Sequence, residues 1–152
     1  MIKMPKDKII VVAALTGAIT TKAQNPNLQK QPDEIAEAAF ECYNEGAAIV
    51  HCHAREKDGT TSGKREIFED IKARIRAKCD LVLNFTTGGG PNLSMEERID
   101  CLNAGPEIAS LNMGTLMRVS GPYAGVPWCN PRADIEAWAT KMKELGIKPE
   151  ME

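Results

Sequence analysis

The sequence predicts an α/β fold on a buried parallel sheet, and three observations predict it. Short apolar runs at 9–15, 48–53, 81–85 and 108–113 alternate with segments whose apolar residues recur at helical spacing, the pattern of βαβ units. Each run is apolar where it begins and polar where it ends: Thr16 follows the first, His51 and His53 lie in the second, Thr86 and Thr87 follow the third, and Asn112 lies in the fourth. That C-terminal edge is where parallel α/β folds build their sites. Periodicity alone leaves a doubly wound sheet and a barrel open. The turn after the first run, Thr16-Gly17-Ala18-Ile19, lacks the GxGxxG of a dinucleotide-binding sheet, which favours the barrel. A (β/α)8 TIM barrel needs roughly 250 residues, so a chain of 152 residues is expected to supply about four βα units of one domain, with no separate second domain.

Taken in order, Ile9–Leu15 is a continuous apolar run and reads as a strand buried on both faces. Pro32 opens the first helix, in which Ile35, Ala39, Cys42 and Tyr43 recur at helical spacing until Gly46 stops it. Ala48–His53 is the second strand, followed by a turn at Asp58-Gly59. Ile67, Ile71 and Ile75 form the apolar stripe of the second helix, and Leu81–Phe85 is the third strand. Thr86 to Gly90 is a loop, and Ser94 with Glu97 has the spacing of a capping box at the head of a third helix that ends at Gly105. Ile108–Met113 is the fourth strand. Asn130-Pro131 starts a last helix with Ile135, Trp138, Met142 and Leu145 inward and Gly146 at its end. The fifth strand is expected to begin only where the chain stops, at Pro149-Glu150-Met151-Glu152.

Composition narrows the function. Of the residues, 43% are apolar and 26% charged, with a net charge of -2; the basic residues are scattered among acidic ones, so no nucleic-acid partner is expected. No apolar run approaches the roughly 20 residues that cross a bilayer, and Met1 to Lys8 does not lead into a signal-peptide pattern, so a cytoplasmic protein without a membrane partner is expected. Cys42, Cys52, Cys79, Cys101 and Cys129 make an odd set without a CxxC pair, as for free thiols that mostly fill small core positions.

The chemistry centres on His51 and His53, the only histidines. Two apart on a strand, they leave on one face while Cys52 leaves on the other, so one metal ion can accept both, with zinc the natural candidate. The alternative is a pair of hydrogen-bonded core histidines. Gly88 to Gly90 can bring backbone N–H groups close to an anion or carbonyl, or serve only as a strand-to-helix turn. Thr86, Ser110 and Asn112 can orient a carboxylate or carbonyl, although many hydroxyls at strand ends satisfy only local backbone. Arg55 is either a bidentate carboxylate ligand or, more commonly, half of a surface ion pair.

Together, Ala14-Leu15-Thr16-Gly17-Ala18, Pro32-Asp33-Glu34-Ile35-Ala36, His51-Cys52-His53-Ala54-Arg55, Thr87-Gly88-Gly89 and Pro106-Glu107-Ile108-Ala109-Ser110-Leu111-Asn112-Met113-Gly114 resemble the β-keto acid cleavage enzymes. The resemblance runs along the whole chain and implies the N-terminal half of a zinc-dependent (β/α)8 barrel. It implies a homo-oligomer, a tetramer, that converts a β-keto acid and acetyl-CoA into acetoacetate and a new acyl-CoA. It further implies Zn2+ on His51 and His53, catalytic roles for Thr86, Ser110 and Glu152, and a substrate bound by Thr16, Ile19, Gly88, Gly89 and Asn112. The family's third metal ligand and its proton-transfer acid and arginine come from the half beyond this chain, so the isolated 152 residues are expected to be inactive. Members acting on an amino-bearing keto acid carry a glutamate where this chain has Ile19, which implies a substrate with a neutral tail. The competing readings are a zinc-dependent barrel aldolase or hydrolase, separated by its independence of CoA, and a non-catalytic half-barrel that associates with a partner chain.

Overall fold

In the computed structural model, which describes residues 8–152, the elements run β1 (Val12–Ala14), α1 (Pro32–Asn44), β2 (Ile49–Cys52), the short β3 (Ala54–Arg55) and β4 (Thr61–Ser62), α2 (Arg65–Arg76), β5 (Val82–Phe85), α3 (Met95–Ile99) with a 3-10 turn over Asp100–Ala104, β6 (Ile108–Leu111), the short β7 (Leu116–Met117) and β8 (Pro127–Trp128), α4 (Arg132–Glu144) and β9 (Lys148–Met151). The Met1–Lys8 segment considered above lies, but for Lys8, outside the described residues.

The main sheet has the order β1-β2-β5-β6-β9, parallel at every step. Its strands lie side by side in chain order and never reverse, as those of a doubly wound sheet do at its switch point. Right-handed crossovers in a sequence-ordered sheet put every helix on one face. The core confirms this placement: Val50 and Cys52 of β2, Leu83 and Phe85 of β5, and Ala109 and Leu111 of β6 all bury against the helices in one cluster. The other face carries the residues between them.

Local chemistry accounts for the helices. Pro32 fills the first position of α1, where its missing N–H costs nothing, and Glu34 closes the capping box with Gln31. Ser94 and Glu97 form the expected box before α3, and Gly105 ends the 3-10 turn in the left-handed region at φ 65°. α2 buries Phe68, Ile71 and Ile75, with the Phe68 ring centroid 4.7 Å from that of Phe85.

Several expectations are corrected. The first strand is short and lies at an edge of the sheet: Ile9 is 88% exposed, and Ile10, Val11 and Val12 are exposed too, because no strand covers their outer side among the described residues. The apolar stripe of α2 is centred on Phe68, with Ile67 only at its margin. Tyr43 and Leu145, expected inward, are exposed near the ends of α1 and α4, where the last turn leaves the core. A fifth strand is present in the main sheet: β9 pairs with β6 through Lys148 to Met151.

Candidate metal and substrate site

Strand alternation sorts the polar residues onto the sheet face opposite the helices. On β2, His51 stands between Ala14 of β1 and Asn84 of β5 in register, while its neighbours Val50 and Cys52 point into the core. His53 follows just past the end of β2. The two Nε2 atoms lie 3.2 Å apart. Two nitrogens bound to one tetrahedral zinc at about 2.0–2.1 Å stand roughly 3.3 Å apart, so the pair fits a shared ion. Burial drives the His53 pKa down to about 3, helped by the charges of His51 and Arg55. His51 is also lowered by burial, against the opposing pull of Glu150 and Asn84. Both rings are therefore neutral near pH 7, the form that ligates metal. His53 Nδ1 is buried without a hydrogen-bond partner.

Two residues that the sequence reading did not single out stand beside His51. Glu150 Oε2 is 4.0 Å from His51 Nδ1, and the fully buried Asn84 donates from Nδ2 to the same oxygen at 2.5 Å. Glu152, just beyond β9, joins them: His51, Glu150 and Glu152 each offer a ligand atom within 4.8 Å of the others. Burial raises the Glu152 pKa, and the Glu150 charge adds to the rise. The signal for Glu150 was available, because Glu150 and Glu152 are two apart on a strand, as the histidines are.

Thr86 and Ser110 meet the glycine loop. Thr86 Oγ1 accepts from Gly88 N–H at 2.9 Å, and Ser110 Oγ accepts from Thr87 N–H at 3.0 Å. Gly90 N–H donates to Gly88 O at 2.6 Å, so two of the three glycine N–H groups are used within the loop. Gly89 sits at φ 60°, where a Cβ would fall 2.6 Å from Leu93 Cδ1. Trp128 Nε1 donates to Gly88 O at 3.1 Å. Asn112 is buried at the end of β6.

The strand-one loop divides the remaining space. Thr16, left-handed at φ 73° and with its buried Oγ1 unpartnered, shares a cleft of about 300 Å³ with Thr20, Asn25, His51 and His53. Ile19 lines a neighbouring cleft of about 290 Å³ with Pro91, Asn92 and Tyr123. Arg55 holds the dividing loop, which corrects its reading as half of a surface ion pair. Its guanidinium is buried and donates to the carbonyls of Gly17, Thr20 and Gly59 at 2.6–3.1 Å, with no carboxylate among these partners.

Residues 8–152 match the family model described as beta-keto acid cleavage enzyme. The chain belongs to that family. Among beta-keto acid cleavage enzymes, it is 43% identical over 113 residues to a 3,5-dioxohexanoate:acetyl-CoA acetone transferase of Paraburkholderia graminis, covering 73% of this chain and 36% of that protein. It is 36% identical over 147 residues to a 3-keto-5-aminohexanoate cleavage enzyme of Fusobacterium nucleatum, covering 96% of this chain and 53% of that protein. The chain thus spans about half the length of such relatives, or less. The fold is shared with ObcA in its binary complex with oxaloacetate, at TM-score 0.70 and 21% identity over 86% of this chain and 32% of that one. Among the described residues, no helix is long and apolar enough to cross a membrane.

Proposed function

We propose that these residues are the first half of a single (β/α)8 barrel that condenses a β-keto acid with acetyl-CoA, giving acetoacetate and a new acyl-CoA with zinc on His51 and His53. The pairing of the two neutral imidazoles through Nε2 atoms 3.2 Å apart carries the reading. The relatives' printed activities support the reaction class, and a sheet of sequence-ordered parallel strands whose edges at β1 and β9 are open among the described residues supports closure into a barrel. A homo-oligomer, a tetramer, in the cytoplasm belongs to the same proposal.

A zinc ion held there supplies a Lewis acid for the keto acid oxygens. The chain's own groups do the rest. Thr86 Oγ1 and Ser110 Oγ each accept a backbone N–H, which leaves the hydroxyl hydrogens to donate to a substrate carboxylate. Thr16, Gly88, Gly89 and Asn112 border the same sheet edge as binding groups. Glu152, whose pKa is raised by partial desolvation and by the Glu150 charge, is the candidate catalytic carboxyl group. The test is metal analysis of the purified full-length protein, with and without both substitutions His51→Ala and His53→Ala, alongside an acetyl-CoA-dependent acetoacetate assay. About one zinc per chain and turnover are expected in the wild type, and neither in the double variant. Undiminished metal in a folded double variant would falsify the assignment.

The substrate tail is proposed to be neutral. Ile19 shares its cleft with Pro91, Pro122 and Tyr123, where an apolar tail gains roughly 25 cal/mol per Å² covered and an unpaired ammonium loses several kcal/mol. The 3,5-dioxohexanoate in one relative's name carries a carbonyl on its tail where 3-keto-5-aminohexanoate carries an ammonium. Ile19→Glu is expected to shift the ratio of specificity constants toward 3-keto-5-aminohexanoate by tenfold or more, on the order of 1.4 kcal/mol. An unchanged ratio in a folded variant would place tail recognition elsewhere.

A further inference from the structure

We propose that Asn84 and Glu150 are a positioning pair that locks the His51 imidazole with its hydrogen on Nδ1, leaving Nε2 bare beside His53; its consequence for metal binding rests on the zinc reading above. Nδ1 of His51 faces Glu150 Oε2 at 4.0 Å, a gap that a small rotation of the Glu150 side chain closes. The Asn84 amide is also fixed in orientation. Its NH2 group donates to Glu150 Oε2 at 2.5 Å, and only that end of a carboxamide can face a carboxylate. Asn84 Oδ1 is then left buried without a partner.

Asn84 lies directly across from His51 in the β2–β5 register, and Glu150 reaches the ring from β9, two strands further on. An imidazole with its hydrogen on Nε2 would aim the Nδ1 lone pair at the carboxylate and the Nε2 hydrogen at His53. The reverse tautomer gives the carboxylate a donor and the shared ion a lone pair. Carboxylates that orient metal-binding histidines in this way raise ligand basicity, and their loss costs metal affinity. Glu150 as a direct ligand is the rival. It is disfavoured because Nδ1 faces Glu150 while Nε2 faces His53, so one ion cannot use both sides of the ring.

The experiment uses the full chain labelled with 15N-histidine, free of zinc and at pH 8, where the rings are neutral. The expected His51 resonances are those of the Nδ1–H tautomer. Glu150→Gln, equal in shape but uncharged, is expected to move them toward the Nε2–H form and to weaken zinc binding 10- to 100-fold, with Glu150→Asp restoring part of both. Asn84→Ser, which leaves the carboxylate in place, is expected to give a smaller shift in the same direction and serves if Glu150→Gln fails to fold. A wild-type Nε2–H tautomer, or resonances unmoved in the folded variants, would overturn the lock. So would complete loss of zinc with an unmoved tautomer, which would make Glu150 a ligand. A wild type that holds no zinc would overturn the metal reading instead, and the resonances would still decide the lock.

Discussion

His53 is held neutral at a position where an unfolded histidine takes up a proton, and this sets a pH dependence. Its pKa is lowered from 6.5 to about 3 in the fold. Above pH 6.5 neither state is charged and the residue is neutral to stability; as pH falls from 6.5 toward 3, only the unfolded chain gains the proton, so folding is opposed. Between pH 7 and pH 5 the loss is about 2 kcal/mol. In chelator, His53→Asn is expected to flatten the fall in stability over this interval by about that amount, read from urea unfolding at the two pH values; equal slopes would mean that the buried ring protonates readily. At this scale the proximity of the two histidines was legible in the sequence. The alternation that paired His51 with His53 needs only extended backbone, and β2 supplies it up to Cys52, with His53 the next residue. Ile19 was harder to place. Its cleft depends on the left-handed Thr16 and on three carbonyls gathered by Arg55, and no periodic pattern records a loop held by one distant side chain.

The connections between elements are fixed by a few buried groups. Arg98 is buried and donates to Thr87 O at 2.9 Å, Cys129 O at 2.9 Å and Asn130 Oδ1 at 2.6 Å, and its guanidinium carbon lies 4.7 Å from the Trp138 ring centroid. It therefore ties the glycine loop to the start of α4. Arg98→Met keeps the bulk but leaves these acceptors unpaired; a loss of about 2–3 kcal/mol is expected in chemical denaturation. The turn between β4 and α2 is equally tight, since a Cβ on Gly63 would sit 1.9 Å from Glu97 O. Gly63→Ala is expected to lower stability by about 1–3 kcal/mol, and a neutral result would show that the α3 segment yields easily. Helix ends were readable because caps are local chemistry: Pro32, Ser94 with Glu97, and Gly105 all stand where expected. The hairpin of β7 and β8 was not readable, because strands of two residues each are too short to show alternation. The first strand was misread for the opposite reason. Its run of apolar residues is real, but apolar sequence says nothing of whether a neighbour covers it.

At the scale of the whole molecule, the sheet has no strand outside β1 or β9 among the described residues. Ile10 and Val11 just before β1, Val12 within it and Met151 of β9 are exposed, on edges whose backbone groups have no outer strand to pair with among the described residues. Edges of this kind recruit other chains, so the 152 residues expressed alone are expected to self-associate, with light-scattering mass rising with concentration, and to show no acetoacetate formation. A monodisperse monomer with robust turnover would show that the site is complete in these residues. The sequence-ordered sheet has one more consequence. Each main-sheet strand lies beside the one before it in the chain, so His51 and Asn84 sit on neighbouring strands while Glu150 comes from β9, far along the chain. A histidine pair oriented by a carboxylate on β9 reaches its full affinity only after that strand has docked. On the proposed zinc reading, metal affinity therefore reports whether β9 has docked.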